Sequence, residues 1–326
     1  MIHRIRPDIR NCHARLSRRR KPILEVDSGD TIIAGTRFCS WGLEPPPSPD
    51  VHPTLVKIED RADPVNDVGN CLVGPIAIRG AKPGMTLEVG IEAMTCASFG
   101  ITLIGGSPNE RYDRFGIGDE HAWMPWVIDR EAGTASNLMG HTVKLRPFVG
   151  SIGVCPDLPG YINNMAPSKV GGNLDCKELI AGSKLYLPIE VPEALFSFGD
   201  GHAAQGDGEI GGSAIECPME DVTLKLTLRR DFPITYPLAR TPDAWITFGF
   251  AENLHDATCI AVNNALDLMT AKLGISRVDA AMLAGMIIDL RVTQMVNPTV
   301  GVHAVWPEGA LIRGCGSGWD ATTARK

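Results

Sequence analysis

The chain has 326 residues and a formal net charge of −7, and 44% of its residues are hydrophobic and 21% charged. This composition is typical of a globular protein with a real core, and the acidic balance excludes nucleic acid as a principal partner because phosphate binding needs a basic surface. No stretch approaches the roughly 18 consecutive apolar residues of a membrane span, so no membrane partner is expected.

Short alternating apolar runs dominate the chain up to about residue 240, and they are bounded by Pro, Gly, Asp or Asn. This pattern is typical of strands in a sandwich or barrel. The predicted strands are, in order, ILEVD (23–27), TIIAG (31–35), LVKIED (55–60), IAIRG (76–80), TLEVGIEAM (86–94), TVKLRPFVG (142–150), KLYLPIEV (184–191) and VTLKLTLRRD (222–231). The longer run LYLPIEVPEALFSF (185–198) is predicted as a buried strand.

The pattern changes near Pro242. Asn253 or Asp256 can cap a helix that stops at Gly274, and Ser276 can cap a second helix. Strands are predicted again at LRVTQMV (290–296) and GVHAVW (301–306). We therefore predict a mainly β fold with sandwich- or barrel-like strands and an α+β C-terminal part containing a helical hairpin. Residues 1–240 would form the core that carries the site, and residues 241–326 would pack on it within one compact unit.

The nine cysteines are scattered without CxxC spacing, which favours reduced, buried thiols over a disulfide framework. The N-terminal residues MIHRIRPDIRNCH contain no apolar signal segment. Both features favour a cytoplasmic protein.

The stretch GDGHAAQGDGE (199–209) concentrates ionisable groups among small residues. In an extended chain Asp200 and His202 share one face and Asp207 and Glu209 share another, and a turn at Gly206 would let the pairs converge. Carboxylates with one imidazole suit a divalent cation. Asp-Gly pairs are also ordinary turn residues, and such a loop could hold a structural ion. Spacing alone leaves a catalytic or metal site, a structural turn and a structural ion open.

A second candidate is VGGNLDCK (170–177), in which Asn173 and Asp175 face the same way if the chain is extended. The paired glycines before them clear space. Cys176, Lys177 and Glu178 are the residue types of a nitrilase site, but their adjacency points them in different directions. Cys176 is more simply a packed thiol.

Several segments resemble the acetamidase/formamidase family in its own order. They are GPIAIRGAKPGMTLEV (74–89), RPFVGSIGVCP (146–156), GGNLDCKELIAGSKLYLPI (171–189), FSFGDGHAAQGDGEIGGSAIE (196–216) and DLRVTQMVN (289–297). The resemblance implies a hydrolase of short carboxamides that yields a carboxylate and ammonia. It also implies a largely β fold, bound divalent cations and a homo-oligomer. Two departures are Val170, where the family has His before the paired glycines, and Met85, where it has Asp.

The resulting hypothesis is a metal-dependent hydrolase of formamide- or acetamide-class substrates. Asp175 and His202 would bind the metal, joined by Asp200 or Asp207. Zinc is favoured, with calcium or magnesium as alternatives.

Glu209 would be the general base, and Gln205 and Asn173 would hydrogen-bond the amide or the oxyanion. His13, Val170 and Gly172 are predicted to lie in the substrate pocket. Glu216 could be a distal ligand or the edge of a strand. The alternatives are a hydrolase of carbamates or larger amides, and a non-catalytic, metal-stabilised homologue that binds a small ligand.

Overall fold

The computed structural model describes residues 1–42, 60–105 and 110–312. The strands are β1 (Ile2–Ile5), β2 (Cys12–His13), β3 (Leu24–Val26), β4 (Thr31–Ala34), β5 (Leu72–Ile78), β6 (Thr86–Cys96), β7 (Phe99–Ile104), β8 (Ala122–Asp129), β9 (Thr134–Asn137), β10 (Thr142–Lys144), β11 (Phe148–Gly153), β12 (Gly171–Asn173), β13 (Lys184–Pro188), β14 (Phe196–His202), β15 (Met219–Arg229), β16 (Leu238–Arg240), β17 (Ala244–Ala251), β18 (Asp289–Gln294) and β19 (Val300–Pro307). The helices are α1 (Glu110–Arg114), α2 (Leu254–Leu273) and α3 (Arg277–Ile287). The predicted mainly β fold with a C-terminal helical pair is confirmed.

In the described part of the chain the strands form three sheets. The largest has the order β1-β4-β15-β6-β13-β16-β17-β19-β18, and it contains strands from both sides of residue 240. A four-stranded sheet has the order β10-β9-β8-β7. A six-stranded sheet has the order β12-β11-β14-β5-β2, with β3 paired to β5. The main hydrophobic cluster combines side chains of the nine-stranded sheet, such as Leu87 and Leu224, with Val73 and Phe198 of the six-stranded sheet. These two sheets therefore share one core.

The alternation in the run at 222–231 is realised in β15. Val222, Leu224 and Leu226 are fully buried, whereas Lys225 on the other face is exposed. The strand pairs with β4 on one side and β6 on the other. The predicted run LVKIED at 55–60 lies almost wholly outside the described residues.

Two predicted strands are divided. The run at 142–150 becomes β10 and β11, which lie in different sheets on either side of Pro147. The single buried strand predicted at 185–198 is wrong, because the chain leaves the nine-stranded sheet after β13 and enters the six-stranded sheet at β14. Between these strands three consecutive residues, Glu193, Ala194 and Leu195, adopt positive φ, and such a run turns the chain and ends the extended conformation.

The helical hairpin follows its predicted signals. Asn253 caps α2 by accepting from the backbone N–H of Asp256, and Gly274 ends the helix in the left-handed conformation at φ 66°. Ser276 caps α3 through the N–H of Asp279. An alanine face of α2 packs on β17 and β19. Within the three described ranges, no helix is long and apolar enough to cross a membrane.

Candidate active site

The end of β14 forms the centre of the site. This strand lies between β11 and β5, and every residue from Phe196 to His202 is buried. His202 Nε2 lies 3.1 Å from Glu216 Oε2 and 3.5 Å from Asp200 Oδ1. The edge of its ring meets Phe148, with ring centroids 4.9 Å apart. His202 is thus held between two carboxylates inside the protein.

Asp175 reaches the same cluster from the loop after β12. Its Oδ2 accepts hydrogen bonds from Asn173 Nδ2 at 2.9 Å and from Asn297 Nδ2 at 2.8 Å. Its main-chain N–H donates to the carbonyl of Gly150 at 3.1 Å. These contacts join β12, β11 and the loop after β18 around one carboxylate.

Neutral side chains fix Asp200. Asn70 Nδ2 donates to Asp200 Oδ2 at 2.9 Å and to Asn173 Oδ1 at 3.1 Å. Ser151 Oγ lies within hydrogen-bond distance of the same two acceptors, at 3.2 and 2.5 Å respectively, and its one proton can be donated to either. Because these donors hold Oδ2, Asp200 Oδ1 is the oxygen that faces His202.

Three acidic residues of the cluster have unusual backbone conformations. Asp175, Asp200 and Glu209 have φ of 49°, 61° and 45°. Residues other than glycine rarely adopt this backbone region. Each such residue costs about 1–3 kcal/mol of stability and persists only where its surroundings fix it. Such strain concentrates at functional sites. Its coincidence at three converging carboxylates marks this cluster as a candidate active site.

Gly150 makes room for the cluster. A Cβ at this position would lie 2.5 Å from Asp175 Oδ1 and 2.8 Å from both Asp200 Oδ2 and His202 Cε1. No side chain fits there, so β11 must pass the site as bare backbone.

Burial and like charge perturb the carboxylates. Burial and the charge of Asp200 raise the pKa of Asp175 to about 7, and burial and the charge of Asp175 raise the pKa of Glu209 to about 10. Burial lowers the pKa of His202, but the carboxylates of Glu216 and Asp200 raise it well above its usual value. The cluster therefore contains more carboxyl groups than its one imidazole can neutralise, and the raised pKa values favour the protonated forms of Asp175 and Glu209.

Several buried polar atoms of the cluster lack a hydrogen-bond partner among the described residues. They are Asp175 Oδ1, His202 Nδ1, Gln205 Oε1, Glu209 Oε2 and Glu216 Oε2, the last of which is ion-paired with His202 Nε2 without hydrogen-bond geometry. A buried polar atom without a partner costs about 1–3 kcal/mol. The ligand atoms of Asp175, Asp200 and His202 lie within 4.8 Å of one another, and a second such set is Cys39, Asp200 and Glu216. Two carboxylates and an imidazole are a suitable donor set for a divalent cation, so the residues fit one.

The residues predicted at 199–209 separate into two groups. Asp200, His202 and Glu209 belong to the cluster, and Gln205 donates through Nε2 to the carbonyl of Asp175 at 2.9 Å. Asp207 instead forms an ion pair with Lys177 at 2.9 Å. Asp207 and Glu209 do not share a face as the extended chain would require, because Gly208 and Glu209 both have positive φ.

The residues predicted for the substrate pocket lie around β12 and β2. Val170 is buried in the main hydrophobic cluster, and its carbonyl accepts from the N–H of Val154. Gly172 pairs with Ile152 at φ 107°. Both ring nitrogens of His13 are engaged, Nε2 with Ser197 Oγ at 2.9 Å and Nδ1 with the carbonyl of Arg15 at 3.3 Å.

The buried His13 is expected to make the stability of the fold depend on pH. Burial, together with the charge of Arg20, lowers its pKa from 6.5 to about 3. Between these values the unfolded chain binds a proton that the folded chain does not, so stability falls as the pH falls from about 6.5. Between pH 7 and pH 5 we expect the unfolding free energy of the wild type to fall by roughly 2 kcal/mol more than that of His13→Gln. Urea unfolding at the two pH values measures the difference. The surface variant His255→Gln is the control, and an equal loss in H13Q and wild type would contradict the assignment.

Four residues of the site were missed from the sequence: Asn70, Gly150, Ser151 and Asn297. The pair Gly150-Ser151 carried a signal, because two small residues interrupt an otherwise apolar strand. The two asparagines come from segments distant in sequence and have no local signature. Glu216, considered as a distal ligand or a strand edge, contacts His202 through both its side chain and a β-bridge.

The part of the chain that contains Asp175, Asp200, His202 and Glu209 matches a known protein family. Residues 161–309 match the model of the Acetamidase/Formamidase family. A formamidase of Methylophilus methylotrophus is 50% identical over 44 residues, which cover 14% of this chain and 11% of that protein. The alignments span at most 28% of the length of the curated relatives.

Solved structures match over nearly the whole chain. An acetamidase of Bacillus halodurans has a TM-score of 0.80 at 28% identity, and the match covers 93% of this chain and 97% of the acetamidase chain. An acetamidase of Yersinia enterocolitica has a TM-score of 0.82 at 27% identity and covers 94% and 92%. These matches confirm the resemblance to the acetamidase/formamidase family.

Proposed function

We propose that this protein, similar to acetamidases and formamidases in sequence and fold, hydrolyses short aliphatic carboxamides to a carboxylate and ammonia. The observation that carries the proposal is the buried convergence of Asp175, Asp200 and His202, with Glu209 beside them. These residues come from the motifs on which the family resemblance rests. Formamide and acetamide are the substrate class that we favour.

The metal is part of the proposal. Asp175, Asp200 and His202 would hold it, and the unpartnered Asp175 Oδ1 and the close approach of the three ligand atoms support this assignment. We favour zinc because it accepts mixed carboxylate and imidazole ligands, with calcium or magnesium as alternatives. When bound, the cation supplies Lewis acidity toward a carbonyl oxygen and lowers the pKa of water.

Glu209 would move the protons. As a carboxylate it would take a proton from the attacking water, and as an acid it would return that proton to the leaving nitrogen. Its buried position favours the protonated form, and a cation nearby would favour the carboxylate. The opposing effects would bring its pKa toward the neutral range in which a general base is most effective.

Gln205 and Asn173 would orient the amide. Each side-chain amide has two N–H groups, and one of them already donates to Asp175. Gln205 donates to the main-chain carbonyl of Asp175, and Asn173 donates to its carboxylate. The second N–H of each would donate to the substrate oxygen or the tetrahedral oxyanion.

The test is ammonia release from formamide, acetamide, larger amides, carbamates and urea, before and after chelation. We expect turnover of the smallest amides, loss of it on chelation and recovery on adding zinc. Turnover confined to carbamates or larger amides would support the alternative substrate classes. No turnover of any of them, together with measurable metal content, would support the non-catalytic, small-ligand-binding alternative.

Two further properties belong to the same proposal. An exposed apolar stripe on α3, formed by Val278, Met282 and Met286, supports a homo-oligomer because such a stripe is costly in water. All eight described cysteines are free and six of them are buried, which supports a reducing, cytoplasmic environment.

A further inference from the structure

A second buried group of metal-ligand side chains lies next to the candidate active site. Cys176 and Glu178 stand in the loop between β12 and β13, and His303 stands on β19. Cys176 and His303 are 0% exposed and Glu178 is 6% exposed. Cys176 follows Asp175 directly, so this group begins where the candidate active site ends.

The separations of the three ligand atoms match those around one tetrahedral ion. Cys176 Sγ lies 3.6 Å from Glu178 Oε2, and His303 Nε2 lies 3.5 Å from the same oxygen. All three atoms lie within 4.8 Å of one another. Tetrahedral zinc with ordinary bond lengths separates sulfur from oxygen by about 3.6 Å and nitrogen from oxygen by about 3.4 Å.

The opposite side of each polar ligand is already held. Thr293 Oγ1 lies 2.8 Å from His303 Nδ1, and Arg291 donates to Glu178 Oε1 at 2.9 Å. Outer partners of this kind fix the orientation of metal-binding imidazoles and carboxylates. Both partners come from β18, and they contact neither His303 Nε2 nor Glu178 Oε2, which lie 3.5 Å apart.

His303 Nε2 supplies an independent indication of a ligand. It is buried and has no hydrogen-bond partner among the described residues. A hydrogen-bonded network of thiol, carboxylate and imidazole would leave this nitrogen 3.5 Å from Glu178 Oε2, too far for a good bond. An ion between the three atoms would engage all of them.

We propose that Cys176, Glu178 and His303 form a second metal site that takes zinc or a similar transition-metal ion. Three protein ligands leave the fourth position of a tetrahedral ion to water. The ion would tie the loop that carries Asp175 to the C-terminal strands of the nine-stranded sheet. This site does not depend on the proposed amide hydrolysis.

Cobalt(II) is the probe, because a cysteine ligand gives it a sulfur-to-metal charge-transfer band in the near ultraviolet. We expect metal-free protein titrated with cobalt(II) to develop this band. Cys176→Ala should abolish it, and His303→Gln should weaken cobalt binding at this site by more than about tenfold. The buried control Cys155→Ser should leave the band unchanged.

Cys39→Ser separates the two sites, because Cys39 stands beside Asp200 and Glu216. We expect the band to survive in C39S. Its absence from the wild type, its persistence in C176A or its loss in C39S would each overturn the proposal. If C176A does not fold, as judged by circular dichroism, H303Q and C39S still decide the question.

Discussion

Glu209→Gln is expected to lower kcat for ammonia release from formamide and acetamide by about 10²–10⁴-fold, the usual contribution of a general base. Glutamine keeps the size and shape of the side chain but cannot accept a proton. Glu209 Oε2 is buried without a partner beside Asp175, so the substitution removes a titrating group and leaves few contacts to disturb. The measurement is steady-state kinetics with KM and kcat determined separately.

Glu193→Gln is the matched control for this variant. Glu193 also has positive φ, at 63°, but it is exposed and lies outside the cluster. It should keep wild-type turnover. Full activity in E209Q would remove Glu209 from its proposed role, and loss of activity in Glu216→Gln alone would transfer that role to Glu216, whose Oε2 lies 3.1 Å from His202 Nε2.

Local signals predicted the elements whose determinants lie close together in the chain. The caps of α2 and α3 and the alternation of β15 depend on residues within a few positions, and the structure contains all of them. The division at 185–198 could not be read in the same way. The apolar residues of this run continue through the turn between β13 and β14, because they are buried on both sides of the turn and in the turn itself.

The candidate site shows the same limit. Asp175, Asp200, His202 and Glu209 were recognisable because two short motifs concentrate them. The hydrogen bonds that orient them come from distant segments, such as Asn70 and the loop after β18. These partners are selected by tertiary contact, which leaves no periodicity or spacing in the sequence.

Asp207 illustrates why spacing alone cannot assign a ligand. It stands two residues from Glu209, but positive φ at Gly208 and Glu209 reverses the alternation that the spacing assumed. The side chain meets Lys177 instead. The strained backbone that gathers the other carboxylates thus directs this one elsewhere, and backbone strain at residues other than glycine is not visible in a sequence.

Gly150→Ala tests whether the geometry of the cluster, rather than its composition, carries the function. The added methyl would overlap Asp175, Asp200 and His202, which are buried and held by contacts of their other polar atoms, so none of them can move away without disturbing those contacts. Overpacking of this kind costs about 1–3 kcal/mol, and a displacement of about 1 Å at reacting groups can lower turnover by about 10²-fold. We expect both effects, together with reduced metal content, in urea unfolding, ammonia release and metal analysis.

Gly90→Ala is the matched control for Gly150→Ala, because it adds the same methyl group to a strand away from the cluster. Gly90 also lies within a strand, β6, but a Cβ there would meet only Lys225, at 3.6 Å or more. Alanine should be tolerated at that position, since it loses less backbone entropy than glycine on folding. If G150A lost stability but kept turnover and metal, the space in front of β11 would serve packing alone. A joint loss, absent from G90A, would place the chemistry at the three side chains that Gly150 leaves room for.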